Sequence, residues 1–152
     1  MLYIDSADLD QVRPLLRTGV FAGVTTNPTI LDRAGLGAAD LPALFRELDA
    51  AGAGTIFMQT SGTTTERMLQ AAERITAISQ EIIVKVPSTP DGYAAARQLI
   101  QGGTEVLMTA VYHPIQAAAA RDVGAWGIAP YVGRMADEGA DWRRAIPQMA
   151  VI

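Results

Sequence analysis

Six short apolar runs, each separated from the next by a stretch with helical punctuation, constrain this chain more than anything else in its sequence. The runs fall at residues 2–4, 21–25, 55–59, 82–86, 105–109 and 127–131. Runs of this length, rich in β-branched residues, read as strands buried on both faces. The intervening stretches carry helix starts and stops. Thr63-x-x-Glu66 is a capping-box signal ahead of an apolar stripe at Met68, Leu69, Ala72, Ile75 and Ile78. Thr89-Pro90 opens a helix that Gly102-Gly103 closes, and Pro114 opens another that ends before Gly124. Asp40 is placed to cap residues 41–51, with Pro42 tolerated in the first turn. Pro14 predicts a short or bent first helix. The last stretch, residues 141–152, reads as helix disturbed by Pro147.

Strand and helix alternating in this way require right-handed crossovers and a parallel sheet, either open and doubly wound or closed as a (β/α) barrel. No G-x-G-x-x-G follows a strand, so a dinucleotide fold has no support. Each run ends on, or close to, a polar residue: Asp5, Thr25 with Asn27, Gln59, Lys85, Thr109 and Tyr131. A barrel gathers its strand ends at one mouth, where barrel active sites lie, whereas an open sheet spreads them along a line. The barrel is therefore expected, as a single domain over residues 1–152.

Composition excludes several classes. The net charge is −4, which argues against a grip on nucleic-acid phosphates. There is no cysteine and one histidine, so disulfides and a zinc site are not expected. No apolar run approaches a membrane span, and the first residues, MLYIDSADLD, are acidic where a signal peptide would be basic. The expectation is a cytoplasmic protein without membrane or nucleic-acid partners. Against this background Lys85 is anomalous. It sits in EIIVKVPST, where an unpaired ammonium would cost several kcal/mol to bury. From the residues alone it either points outward between helices, pairs with Asp5, or carries chemistry.

The segments GVTTNPTI, IIVKVP, TAVYHPIQA and APYVGRM, in this order and spacing, closely resemble the small transaldolase-like group, which comprises transaldolases and fructose-6-phosphate aldolases. The resemblance covers essentially the whole chain. It implies a (β/α)8 TIM-barrel fold, of which about the first six β/α units are present here, and a class I aldolase that needs no metal or other cofactor. Strands seven and eight, with polar residues that help hold a substrate phosphate, are missing from residues 1–152, so the expectation is a C-terminally truncated barrel with two exposed sheet edges. A ring-like homo-oligomer is also implied.

Mapped by motif, the resemblance makes Lys85 the Schiff-base lysine. At the reference pKa only about one lysine in 2,500 is neutral at pH 7; a pKa near 7.5 would make about a quarter neutral. Apolar strand walls favour that shift by desolvating the ammonium. Gln59 and Tyr131 match the fructose-6-phosphate aldolase pattern, whereas transaldolases tend to place glutamate and phenylalanine there. A phenol can orient a water that moves protons at the carbinolamine and enamine, Gln59 can hold that water without competing as a base, and Thr109 would be its third partner. Asp5 is implied to position Lys85 and to move protons at the substrate's hydroxyls; its alternative is helix capping, which Ser6 or Asp8 could do instead. Thr25 and Asn27 would bind substrate hydroxyls, with a loop-shaping role as the alternative for Asn27. Arg134 would contact phosphate bidentately, or else pair with Asp137 or Glu138. His113 is expected to open a helix.

The expected reaction joins or splits a C–C bond between a dihydroxyacetone-type ketone and an aldehyde such as glyceraldehyde 3-phosphate. The alternatives are transfer of a three-carbon ketol between sugar phosphates, and a non-catalytic remnant that binds sugar phosphates or associates with a partner barrel.

Overall fold

The computed structural model describes residues 1–151; Ile152, the last letter of the expected final helix, lies outside them. In chain order the elements are β1 (Leu2–Asp5), α1 (Leu9–Leu16), β2 (Phe21–Thr25), α2 (Pro28–Arg33), α3 (Leu41–Ala50), β3 (Thr55–Gln59), α4 (Thr65–Thr76), β4 (Ile83–Pro87), α5 (Pro90–Gln101), β5 (Val106–Val111), α6 (Pro114–Asp122), β6 (Gly127–Pro130), α7 (Val132–Asp137) and α8 (Trp142–Ala150). Strand order in the sheet follows chain order, β1-β2-β3-β4-β5-β6. This is the succession of the first six units of a (β/α)8 barrel, in keeping with the barrel that the polar strand ends predict and the eight-unit fold that the resemblance implies. Among the described residues no helix is long and apolar enough to cross a membrane.

The described chain divides into two compact units, residues 1–61 with 71–84, and residues 62–70 with 85–151. In the first, β1 and β2 pair in parallel, as do β2 and β3. Val12 and Leu16 of α1 recur at helical spacing and are buried, as are Leu41, Leu44 and Leu48 of α3. Val24, Ile56, Phe57 and Met58 supply the strand side of this core, and Tyr3 meets Phe57 edge to face at 4.9 Å. Gly23 of β2 has no alternative: a Cβ there would lie 1.9 Å from the Thr55 carbonyl oxygen of β3. As Pro14 predicts, α1 is short, eight residues long.

In the second unit β5 and β6 pair in parallel, and the buried helix faces are built from small residues. Gly92, Ala95 and Ala96 of α5 and Ala117 and Ala120 of α6 let these helices approach closely. Gly92 is the extreme case, since a Cβ there would stand 1.8 Å from the carbonyl oxygen of Pro87, the last residue of β4.

Three local expectations are corrected. Asp40 stands at the N-cap of α3 but makes no side-chain capping bond to it; its carboxylate accepts from the Gly37 amide and closes the 3-10 turn that precedes the helix. The start of α4 shifts by one: Thr64, and not Thr63, accepts from the Arg67 amide, because three consecutive threonines offer the same capping oxygen. Strand β5 does not stop at Thr109 but runs to Val111, through a bulge at Ala110.

Candidate active site

Lys85 lies inside β4 and is only 4% exposed. It is the only lysine of the chain, whose other basic side chains are arginines and the single histidine, His113. That distinction is chemical: a guanidinium does not give up its proton in proteins, whereas a desolvated lysine amine does. Lys85 therefore does not point outward to solvent.

Thr109 in β5 is fully buried, and its Oγ1 has no hydrogen-bond partner among the described residues. A buried hydroxyl left so costs about 1–3 kcal/mol, which structures avoid unless a ligand or solvent claims the group. Directly after it Ala110 adopts φ +55°, the left-handed region that alanine rarely enters. Here the β5/β6 register slips, so that Thr109 pairs with Ala129 while Val111 pairs with Pro130. The bulge lets the Val111 carbonyl accept from the Tyr131 amide at 3.0 Å. Tyr131 follows β6 directly, is half-buried, and packs edge to face on Tyr112 with ring centres 5.8 Å apart. The Arg134 guanidinium sits over the Tyr131 ring at 5.4 Å. Arg134 is thus brought to Tyr131, and no ion pair joins it to Asp137 or Glu138 among the described residues.

The sequence reading missed a set of residues around these. Ser88 follows β4, is 8% exposed, and donates its amide to the Thr109 carbonyl at 2.8 Å. Its hydroxyl lies 2.6 Å from the Tyr93 phenol oxygen, and that phenol donates to the Gln116 carbonyl at 2.7 Å. The Gln116 side chain donates to the Ser88 carbonyl at 3.0 Å and accepts from the amides of Tyr112, at 2.8 Å, and His113, at 3.0 Å. The only hint in the sequence was that Ser88 and Gln116 stand inside two of the quoted segments' immediate surroundings, VPST and YHPIQA. His113 itself caps α6, its Nδ1 accepting from the Ile115 amide, as expected.

In the first unit, Asp5 ends β1 and is exposed. Capping of α1 falls to Asp8, whose carboxylate accepts from the amides of Asp10 and Gln11, and the Asp8 amide in turn bonds the Ser6 hydroxyl. Asp5 faces a cleft of about 800 Å³ shared with Ser6, Ile30 and Arg33. Thr25 ends β2 half-buried, and the next residue, Thr26, is fully buried with both its amide and its hydroxyl on the Phe57 carbonyl. Asn27 caps α2, its Oδ1 accepting from the Ile30 amide at 3.0 Å, so the loop-shaping role is present; the Nδ2 group is not used by that cap. Gln59 ends β3, and its buried Oε1, like Thr109 Oγ1, has no partner among the described residues.

Comparison with known proteins gives a consistent set of matches. The family model described as "Transaldolase/Fructose-6-phosphate aldolase" matches residues 2–151. A protein named "Probable transaldolase" from Streptococcus agalactiae serotype V is 35% identical over 139 residues, covering 91% of this chain and 63% of the relative. One of the same name from Thermoplasma volcanium is 30% identical over 151 residues, covering 99% and 68%. The chain thus spans less than two thirds of the Streptococcus relative's length. Among solved structures, N-acetylneuraminate lyase from Mycoplasma synoviae superposes with TM-score 0.57 at 11% identity, covering 84% of this chain and 53% of that one. Dihydrodipicolinate synthase from Rhodopseudomonas palustris does so with TM-score 0.56 at 12% identity, covering 82% and 51%. At these identities the likeness is one of fold.

Proposed function

This chain belongs to the transaldolase/fructose-6-phosphate aldolase family, and we propose that it acts through a Schiff base on Lys85. The observation that carries the reading is the burial of the only lysine, at 4% exposure, in the fourth strand of a (β/α) succession. Burial penalises the ammonium form and favours the neutral amine that attacks a ketone. The carbinolamine then loses water to give an iminium, and loss of a carbon-bound proton gives an enamine. The enamine attacks an aldehyde, and hydrolysis frees the product and the amine.

Thr109 and Gln59 each offer a buried oxygen that no residue satisfies, which suits groups that hold a water or a substrate hydroxyl. The Tyr131 phenol orients the water that moves protons at the carbinolamine and enamine, Asp5 moves protons at the substrate's hydroxyls, and Thr25 and Asn27 Nδ2 bind those hydroxyls. Arg134, exposed and close to Tyr131, meets the phosphate of a sugar-phosphate substrate. Glutamine at 59 and tyrosine at 131 favour direct aldol chemistry between a dihydroxyacetone-type donor and an aldehyde such as glyceraldehyde 3-phosphate. Ketol transfer between sugar phosphates is the second reading, favoured by the name of the relatives, "Probable transaldolase". A cytoplasmic homo-oligomer remains part of this proposal.

The deciding experiment is reductive trapping with dihydroxyacetone and cyanoborohydride, followed by peptide mass mapping. A single adduct is expected on Lys85, absent in Lys85→Met; a folded sample that gives none overturns the reading. Fructose 6-phosphate without an acceptor then separates the two reactions. Free dihydroxyacetone marks the aldolase, and its retention on the lysine marks the transferase.

A further inference from the structure

We infer that Gln116 is a positioning residue, which locks the loop after β4 to the turn after β5 and so aligns Lys85, Thr109 and Tyr131. The inference rests on the Schiff-base reading given above. Its basis is a closed ring of hydrogen bonds whose directions are fixed by chemistry. A carbonyl can only accept, so the Tyr93 hydroxyl hydrogen goes to the Gln116 carbonyl oxygen, 2.7 Å away. The Ser88 hydroxyl must then donate to the Tyr93 oxygen across their 2.6 Å contact. Backbone N–H groups can only donate, so the amides of Tyr112 and His113 face Gln116 Oε1. The Ser88 carbonyl faces Nε2. The ring runs Ser88 to Tyr93 to Gln116 and back to Ser88, with no bond left ambiguous.

Each exit from the ring leads to a residue of the proposed chemistry. Ser88 lies three residues beyond Lys85, and its amide holds the Thr109 carbonyl at 2.8 Å. The Tyr112 amide is held by Gln116 Oε1 at 2.8 Å, and the Tyr112 ring is the face against which Tyr131 packs. Only an amide side chain satisfies all three of these bonds. A glutamate would still accept from Tyr112 and His113 but would turn an oxygen on the Ser88 carbonyl, so the β4 loop would be held only through Ser88, Tyr93 and the main-chain carbonyl of residue 116. A leucine would lose all three side-chain bonds and keep only that main-chain link.

The test is the rate and the end point of dihydroxyacetone trapping by cyanoborohydride in Gln116→Glu, Gln116→Leu and Tyr93→Phe. The end point counts competent lysines, and the rate reads how well each is aligned. Gln116→Glu and Gln116→Leu should slow trapping about tenfold at an unchanged end point, and Tyr93→Phe about threefold. Two outcomes overturn the inference: wild-type rates in these variants, or rate and end point falling together with the folded fraction. Should Gln116→Leu fail to fold, Gln116→Glu and Tyr93→Phe decide. A wild-type protein that forms no adduct sinks the Schiff-base reading instead, and this inference with it.

Discussion

The side chains that close the ends of β1 and β2 and those that close the ends of β4 and β5 are held differently. In the first region the helix-capping bonds are local, Asp8 capping its own helix, Ser6 bonding the Asp8 amide and Asn27 the Ile30 amide, and only Thr26 reaches across to the next strand, at the Phe57 carbonyl. Asp5 is exposed. In the second, Lys85 and Thr109 are buried, and bonds spanning 23 to 28 residues of sequence tie Ser88 and Tyr93 to Gln116. The contrast fits a division of labour. Forming an imine needs an amine fixed to within a fraction of an ångström, whereas hydroxyls along a flexible sugar are met well by groups with local freedom. Changes in the second region should therefore act on chemistry, and changes in the first on local stability and substrate affinity.

The largest effect should come from Tyr131→Phe. The ring keeps its edge-to-face contact with Tyr112 at 5.8 Å, and no residue bonds the phenol among the described residues, so stability should hardly change. If the phenol orients the proton-transferring water as proposed, removing it costs about 100-fold or more in turnover. Steady-state kinetics should show that loss while trapping still reaches its full end point on Lys85. A variant that turns over normally would move the proton-transfer role to another group.

Gly92→Ala comes next. A Cβ 1.8 Å from the Pro87 carbonyl oxygen must push α5 off the strand that carries Lys85, and overpacking of this kind costs about 1–3 kcal/mol. Denaturant unfolding should register it. Gly23→Ala offers a paired control, since its Cβ would meet the Thr55 carbonyl at 1.9 Å in the other unit. Both should lose stability to a similar degree, but Gly92→Ala should also slow trapping per competent site. Equal trapping rates in the two would show that the β4 loop tolerates displacement and would erase the contrast between the regions.

What the sequence disclosed follows the range of the interactions. Strands β2 and β3 are read to the residue, because β-branched and apolar runs end on polar letters. The end of β5 is misread because alanine carries no signal for a left-handed φ; nothing in MTAVY distinguishes a bulge at Ala110 from continuous strand. The cap of α4 is misplaced by one residue because Thr63, Thr64 and Thr65 are equivalent until the chain is folded, and Asp91 then takes the Thr65 amide and hydroxyl. Lys85 stands out as a lone charge among β-branched residues. Gln116 does not, because its partners are distant in the chain and its role depends on three backbone groups that no letter reveals.

The smallest and sharpest effect concerns Asn27, whose observed cap and proposed substrate contact sit on different atoms. Oδ1 caps α2 through the Ile30 amide, and Nδ2 is the donor proposed to meet a substrate hydroxyl. Asn27→Ala removes both, and loss of a cap typically costs about 1 kcal/mol. Asn27→Asp keeps an oxygen for Ile30 and places a carboxylate at a helix N-terminus, which the helix dipole favours. It should match the parent in denaturant unfolding while raising KM, because a donor has become an acceptor. Since the bond lost is to substrate and not to a reacting atom, kcat should fall less than kcat/KM. An aspartate variant with unaltered KM would confine Asn27 to the cap, leaving the β2 end with Thr25 as its only group proposed to meet the substrate.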